Sequence, residues 1–366
     1  MRIYIPFCGI GFGHAMRSVP LGLGLKEAGH EIYFATHEPV FSKIKKLNFV
    51  KDSPIFEIEK EIEFVQDSEE LVISKTVSQS ILKLKKFPKM MKTHEKIIKS
   101  IKPDLIISDT VVSAVFAAEN DKIDSYYMTN QTNTSVFFPG RQYFILRKAV
   151  EKVIKRVLKY SKIILIPDFP SPYTFCESNI DYFGMEKKFF FSGPILNKRP
   201  EYVKEKKFKR KVFLVISGGT RAGLKNYKIF KKIGEEVNVD FIIMNSERDN
   251  FYNNVKYLRF VNDIYPFIKG SFSIISHGGH TTLMECATYG KPIIALSTKE
   301  MIERENNLYG LEKNGMGIKI KNMKELEYAV KEIIFNKKYV KKAKMFKSLS
   351  KNYDGIKKVN KLIESQ

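Results

Sequence analysis

Two short stretches hold the residues best suited to chemistry. In "ISHGGHTTLMECATYG" an apolar run ends at Ser276, His277, Gly278 and Gly279 make a turn, and His280, Thr281 and Thr282 open a helical pattern. Backbone N–H groups at a helix start have no partner inside the helix and carry partial positive charge, so such a turn suits a phosphate. Glycine lets the backbone come close, and the Thr hydroxyls and His277 can add hydrogen bonds. Glu285 falls one helical turn after Thr281 on the same face, where a carboxylate repels phosphate but accepts two ribose hydroxyls. The plainer reading of the same residues is a strand–turn–helix capped by threonine.

The second stretch is "FCGIGFGHAMRS", Phe7 to Ser18. Gly9, Gly11 and Gly13 alternate, which suits an anion nest. A dinucleotide fingerprint, G-x-G-x-x-G, would need its third glycine where His14 stands. Glu38 near the end of the next strand supplies the acid of that fingerprint, so the missing glycine and the other motif are what argue against it. Histidine titrates near neutral pH, so His14 is either a general base or a structural residue bonded to its loop. Asp109 ends "DLIISD" and either orients that imidazole or caps the helix opening "TVVSA". Arg17 is a candidate for a substrate phosphate or carboxylate, with Asn130 and Gln131, ending "YYMTNQ", at the same sheet edge.

Both motifs need strands behind them and helices after them. "RIYIPF", "EIYFATHE", "PDLIISD", "DSYYMTNQ" and "KIILIPD" read as strands of the first half, separated by helical segments such as "SVPLGLGLKEAGH". Such alternation gives a parallel, doubly wound α/β sheet, whose ligands bind at the carboxyl ends of the strands. A Pro-, Gly- and charge-rich stretch from Phe189 to Lys211 reads as a linker, and the pattern restarts with "VFLVISGG", "DFIIMNS", "SFSIISHGG" and "KPIIALS". The expected organisation is a first Rossmann-like domain over 1–192, a linker over 193–210, and a second domain over 211–345. A basic helix over 346–366 ends the chain.

Bulk properties narrow the classes. The chain has 366 residues and 43% hydrophobic content, enough for two cored domains. Cys8, Cys176 and Cys286 are far apart and odd in number, which fits a reducing cytoplasm and argues against a disulfide framework or zinc. No apolar run approaches a membrane span, and the N-terminus lacks a signal-peptide pattern. The net charge of +23 points to nucleic acid, an anionic membrane or a phosphorylated substrate, or to a lysine-rich surface. No zinc knuckle, RNP-type motif or helix-turn-helix appears, so nucleic acid is not expected.

The glycine–threonine–glutamate segment resembles the donor-binding signature of GT-B glycosyltransferases. It is similar to the UDP-glycosyltransferase superfamily and to the lipid-II-forming N-acetylglucosaminyltransferases. That resemblance implies two Rossmann-like domains facing across a cleft, and a nucleotide-sugar donor, UDP-linked. The diphosphate then falls to His277, Gly278, Gly279, His280, Thr281 and Thr282, and the ribose to Glu285. "SGGTRAG" resembles the loop that reaches the phosphates, with Gly218, Gly219 and Thr220, and "LRFVNDIYPFI" the nucleobase segment, with Phe260 and Ile264. In "IERENN" the sugar-contacting positions fall on Glu303, Arg304 and Asn307. Arg304 stands where the families carry Gln; it pairs either with an acidic sugar or with Glu300 or Glu303.

The opening loop resembles the acceptor loop of the same enzymes, in which a histidine is often the base and an aspartate its partner. The implied reaction is inverting transfer to an acceptor hydroxyl, with His14 and Asp109 catalytic and with no metal or other cofactor. "GFGHAMRS" also resembles the loop of nucleotide-sugar hydrolases, in which the histidine activates water. A non-catalytic nucleotide-sugar-binding protein is the third class. Basic stretches with apolar residues at helical spacing, Ile81 to Lys99 and Arg141 to Lys162, suit either an anionic membrane with a lipid-linked or glycan acceptor, or a solvated outer helix. The tail carries ten lysines between Lys337 and Lys361. In GT-B proteins such a last helix commonly crosses back to the first domain.

Overall fold

The computed structural model describes residues 1–46, 53–61, 66–67, 70–71, 85–136, 138, 140–216, 227–246, 248–259, 261–298 and 301–366. The chain divides into two compact units. Unit 1 comprises Met1–Pro170, Asn179–Asn197 and Asp354–Gln366, and unit 2 comprises Ser171–Ser178 and Lys198–Tyr353.

Unit 1 is built on the strands Arg2–Pro6 (β1), Glu31–Thr36 (β2) and Ile55–Glu57 (β3). A short antiparallel pair follows, Gln66–Asp67 (β4) and Glu70–Leu71 (β5). Leu105–Asp109 (β6), Ser125–Met128 (β7), Ile163–Ile166 (β8) and Phe189–Phe191 (β9) complete a parallel sheet in the order β3-β2-β1-β6-β7-β8-β9. The order reverses between β1 and β6, so the loop after β1 and the end of β6 meet at the switch point where such sheets hold ligands. The helices are Ala15–Glu27 (α1), Val40–Lys45 (α2), Phe87–Ile101 (α3), Val112–Asn120 (α4) and Phe144–Tyr160 (α5). The central strands are buried on both faces, as their unbroken apolar runs require. Ile3, Ile5, Leu21, Leu25 and Phe34 pack on one side, and Tyr4, Ile97, Ile106 and Ala114 on the other.

Unit 2 repeats the plan. Its strands are Lys211–Ile216 (β10), Val239–Met244 (β11), Asn250–Tyr252 (β12), Val255–Leu258 (β13), Ser273–Ser276 (β14), Ile293–Leu296 (β15) and Gly317–Ile320 (β16). They run in the order β12-β13-β11-β10-β14-β15-β16, and among the described strands only β12 is antiparallel to its neighbour. Its helices are Tyr227–Val237 (α6), Tyr265–Gly270 (α7), His280–Tyr289 (α8), Ile302–Lys313 (α9), Leu326–Phe335 (α10) and Lys337–Leu349 (α11).

The expected boundaries shift. The stretch read as a linker is divided, with 193–197 in unit 1 and 198–210 in unit 2. It is also tied down: Lys269 Nζ donates to the Pro200 and Val203 carbonyls, at 2.7 Å each, and Tyr289 Oη to the Lys198 carbonyl at 2.8 Å. The tail is two helices with different homes. In α11, Phe346 is buried against Phe175 and Tyr173, with ring centroids 5.2 and 5.9 Å away. The last helix, Gly355–Glu364 (α12), belongs to unit 1, where Val359 and Ile363 join the core beside Leu21 and Ile195. Asp354 caps it by accepting from the Lys357 amide at 3.2 Å.

Candidate active site

In unit 1 the loop after β1 is fixed by backbone and by a histidine absent from the sequence-based candidates. The Cys8 amide donates to the Asp109 carbonyl at 3.1 Å, continuing the pairing of β1 with β6. The Gly9 amide donates to His37 Nε2 at 2.9 Å, and His37 Nδ1–H donates to the Glu38 carbonyl at 2.8 Å. Accepting on one nitrogen and donating on the other makes His37 a neutral strut between β2 and the glycine loop. A side chain at Gly9 would collide with the His37 backbone, which explains that glycine. Gly11 has φ +69° and open space around it.

His14 precedes α1 and its Nδ1 lies 2.9 Å from Asp109 Oδ1. Asp109 is fully buried, while the His14 side chain is 24% exposed. Arg17 Nη2 also lies 3.1 Å from Nδ1, but it donates to Asp109 Oδ1 at the shorter 2.6 Å. With the carboxylate able only to accept, the arrangement that satisfies both puts the proton on Nδ1 and leaves Nε2 as the basic nitrogen of the neutral ring. Asp109 has three further donors: Arg17 Nε at 2.8 Å, Arg17 Nη2 at 2.6 Å and Ser18 Oγ at 2.8 Å. Burial alone would raise its pKa, but the Arg17 charge and the hydrogen bonds from Arg17 and His14 hold the carboxyl well below the usual range. Thr110 Oγ1 completes the ring of contacts, 3.4 Å from His14 Nδ1.

Arg17 departs from expectation. It is buried, its Nη1 donates to Asn130 Oδ1 at 3.1 Å, and the rest of its fork clamps Asp109. It is the counter-ion of Asp109, so the structure corrects the expectation that it meets a substrate anion. Asn130 is likewise turned inward onto Arg17. The helix α1 begins at Ala15, which places Arg17 and Ser18 on its first turn, where both reach the Asp109 carboxylate at the end of β6. Gln131 is half-buried, with its amide on Thr129 Oγ1 at 3.1 Å.

The alternative role of Asp109 as a helix cap is filled by another residue. Glu61 accepts from the Val112 and Ser113 amides at 2.8 and 2.7 Å and caps α4 from outside. Burial raises the Glu61 pKa despite those bonds.

In unit 2 the turn after β14 is shaped by its glycines. Gly278 has φ +71°, and a Cβ there would meet the Leu308 side chain. Gly279 is the N-cap of α8, with no side chain to offer the helix and nothing within 4 Å of where a Cβ would stand. The first-turn amides of α8 therefore rely on groups other than a side chain of their own cap. His277 and His280 are buried, and Thr281 and Thr282 half-buried.

Glu285, one turn into α8, is buried and accepts from Tyr265 Oη at 3.0 Å. Burial pushes its pKa up to about 7, with the Tyr265 bond working in the other direction. Tyr265 opens α7 and stacks on Tyr289, ring centroids 5.8 Å apart. This bond brings the segment carrying half-buried Ile264 to α8. Gly218, Gly219, Thr220 and Phe260 lie outside the described residues.

Helix α9 lies along the same turn. Asn307 is buried, with its Nδ2 3.5 Å from the Gly278 carbonyl and 3.2 Å from Glu303 Oε1. Arg304 Nη1 is buried without a hydrogen-bond acceptor among the described residues, while the charge of Glu303 works against the effect of burial on the guanidinium. Glu300 lies outside them.

Comparison with known proteins follows this geometry. A model of glycosyl transferase family 1 matches residues 1–336. The whole chain is 30% identical over 384 aligned residues to an uncharacterized glycosyltransferase of Methanosarcina mazei, covering 98% of that relative. Among solved structures, the glycotransferase of kitacinnamycin superposes with a TM-score of 0.73 at 17% identity, covering 100% of this chain and 98% of the other. The calicheamicin glycosyltransferase CalG4 superposes with a TM-score of 0.69 at 16% identity, covering 100% and 97%.

Proposed function

The chain belongs to glycosyl transferase family 1, and from that footing we propose that it moves a sugar from a UDP-linked donor to an acceptor hydroxyl with inversion. It is a glycosyltransferase with the GT-B fold. The observation that carries the finer reading is the His14–Asp109 pair at 2.9 Å, which leaves Nε2 as the base. In the proposed step the acceptor O–H proton passes to His14 Nε2. The acceptor oxygen bonds the anomeric carbon while the bond from that carbon to the diphosphate breaks, and its electron pair leaves with UDP. Asp109 keeps the Nδ1 proton in place and stabilises the imidazolium that forms.

The leaving diphosphate is assigned to the Gly278–Gly279 turn and the first turn of α8, with His277, His280, Thr281 and Thr282 beside it. Helix-start amides suit that charge, so the reading needs no metal. Glu285 is assigned to the ribose, Ile264 to the base, and Glu303 and Asn307 to the sugar. Gly218, Gly219, Thr220 and Phe260 keep the donor roles implied by resemblance.

A membrane-borne acceptor is supported by α5. Its second half is packed through Ile154, Val157 and Leu158, yet no residue of 144–153 is buried, and Phe144 and Ile145 are 54% and 84% exposed beside Arg147 and Lys148. Apolar side chains framed by basic ones suit an anionic lipid surface. Among the described residues no helix is long and apolar enough to cross a membrane.

The test is to incubate the purified chain with UDP- and GDP-sugars, with and without a membrane lipid extract, and to measure released nucleotide. Release that requires the extract and is abolished in His14→Ala is the expected result. Release of free sugar without acceptor would make the protein a hydrolase, as the "GFGHAMRS" loop also suits. Nucleotide binding with no turnover, unchanged in His14→Ala, would make it a binding protein.

A further inference from the structure

We propose that Thr110 is a positioning residue for the base. Its hydroxyl oxygen is a second acceptor, beside Asp109, for the His14 Nδ1–H, which fixes the tautomer and supports the imidazolium formed on proton transfer. The inference rests on the assignment of His14 as the base and deepens it.

Thr110 stands between β6 and α4 with φ +59°. Among the described non-glycine residues with a positive φ it is the one β-branched side chain; the others are lysines, asparagines and Phe183. Branching at Cβ makes the left-handed region costly, and such strain persists only where the surroundings fix it. Here both sides are fixed. The Thr110 amide donates to the Met128 carbonyl at 3.2 Å, continuing the β6–β7 pairing. On the other side Ser108 Oγ donates to the Val111 carbonyl at 2.6 Å, and Glu61 holds the Val112 and Ser113 amides. Glycine would take this turn without strain, so the side chain itself calls for a reason.

The hydroxyl supplies that reason. Thr110 Oγ1 donates to the Asp109 carbonyl at 2.7 Å, the same oxygen that takes the Cys8 amide at 3.1 Å. With its single proton committed there, Oγ1 can only accept from His14 Nδ1, 3.4 Å away. Arg17 Nη2, 3.1 Å from the same nitrogen, is a donor and by itself would favour a bare Nδ1. Asp109 Oδ1 and Thr110 Oγ1 are two acceptors set against that donor, and a proton on Nδ1 serves both. A hydrogen bond from an ionised donor is roughly twice as strong as one from a neutral donor, so this long contact weighs most once the ring is charged.

Away from His14, Thr110 lines a small recess with Cys8, His37, Ile58, Glu59, Glu61 and Val111. The ionisable groups there are engaged or silent. His37 spans the Gly9 amide and the Glu38 carbonyl, Glu61 caps α4, and Glu59 Oε1 accepts from Thr93 Oγ1 at 3.2 Å. Burial pushes the Cys8 thiol up to about 12, so it stays protonated near neutral pH. Asp109 and Arg17 are the charges that meet the His14 ring directly.

The experiment compares the full chain with Thr110→Val, Thr110→Ser and Thr110→Gly by thermal melting, by nitrogen NMR of the His14 ring across pH, and by nucleotide release from the UDP-sugar with the membrane lipid extract. NMR needs no substrate: Nδ1 should carry the proton in the wild type. Thr110→Val keeps the branched shape and loses the hydroxyl. An acceptor on Nδ1–H favours the charged ring, so in this variant the ring titration and the acid limb of kcat/KM should both move to lower pH, by roughly 0.5 unit. Its kcat should fall about 3- to 10-fold, the worth of one hydrogen bond, with KM for the UDP-sugar unchanged. Thr110→Ser should restore rate and titration. Thr110→Gly should match Thr110→Val in both, yet keep or raise the melting temperature, since glycine takes the left-handed turn freely. A ring titration in Thr110→Val that coincides with the wild type overturns the proposal, and so does a proton on Nε2 in the wild type. Equal rate losses in Thr110→Ser and Thr110→Val overturn it too, since the hydroxyl would then not be the cause. Full turnover in His14→Ala defeats the base assignment, and this inference with it.

Discussion

The two units each run an apolar strand into a glycine turn and a helix, yet the two turns end in opposite conditions. In unit 1 the first turn of α1 is closed by the chain's own charges: Asp109 is ringed by His14, Arg17 and Ser18. In unit 2 the first turn of α8 starts at a glycine that brings no side chain of its own, and nothing lies within 4 Å of where a Cβ would stand. On the proposed reading one local motif serves two kinds of chemistry, according to what stands at the helix entrance. A clamped carboxylate there holds the proposed base, and a bare glycine there leaves the first-turn amides for the proposed diphosphate.

The contrast breaks most visibly at Asp109. Asp109→Ala strands the buried Arg17 charge, and removing one partner of such a pair costs about 3–5 kcal/mol. Urea unfolding should show that loss together with lost turnover; a variant of native stability would mean that the clamp is not closed. His14→Ala removes the proposed base and one of the donors to Asp109, so kcat is expected to fall about 10²- to 10⁴-fold with nucleotide affinity kept and a stability loss of about 1 kcal/mol, smaller than that of Asp109→Ala.

The glycines sharpen the comparison in unit 2. Gly278→Ala meets a left-handed backbone, worth about 1–2 kcal/mol, and collides with Leu308, so thermal stability should drop. Gly279→Ala is free of both problems and should stay within about 0.5 kcal/mol of the parent, while UDP affinity, read by calorimetry, falls. Equal stability losses in the two variants would erase the distinction between a packed glycine and an open one.

The smallest effect concerns pH. Burial keeps the Glu285 carboxyl protonated up to about pH 7. An ionised Glu285 is the better ribose acceptor, so nucleotide affinity should fall as pH drops through that value. Tyr265→Phe removes a bond that favours the ionised form; it should cost about 1 kcal/mol of affinity and move the fall to higher pH. The linkage runs the other way for folding. Because the folded state binds this proton more tightly than the unfolded chain, the unliganded protein should lose stability as pH rises from about 4.5 to about 7. A flat profile would remove Glu285 from the account.

Much of this was legible before any coordinates. Unbroken apolar runs marked the parallel strands, and the glycine turns announced their own ends, since few other residues adopt those dihedrals. His14 and Asp109 were paired through the family resemblance; the structure sets the start of α1 beside the end of β6, where the two side chains meet. Arg17 was misread because an isolated sequence shows a charge near a loop and says nothing of which way the helix turns it. Glu61 and Tyr265 escaped because their partners lie 51 and 20 residues away, beyond any local pattern. The linker was misplaced because proline and charge mark irregular backbone, and irregular backbone can be bound tightly.

The placement of α12 has a consequence for how the molecule is made. Val359 and Ile363 belong to the same core as Ile3 and Ile5, although they leave the ribosome some 350 residues later. Unit 1 is therefore the first to be synthesised and the last to be completed. Until the final helix emerges, its sheet has an uncovered apolar strip beside α1, while unit 2 has everything it needs up to Tyr353. A nascent chain stalled short of Gly355 should carry a folded second half and an unfinished first half, and quality control would meet it there.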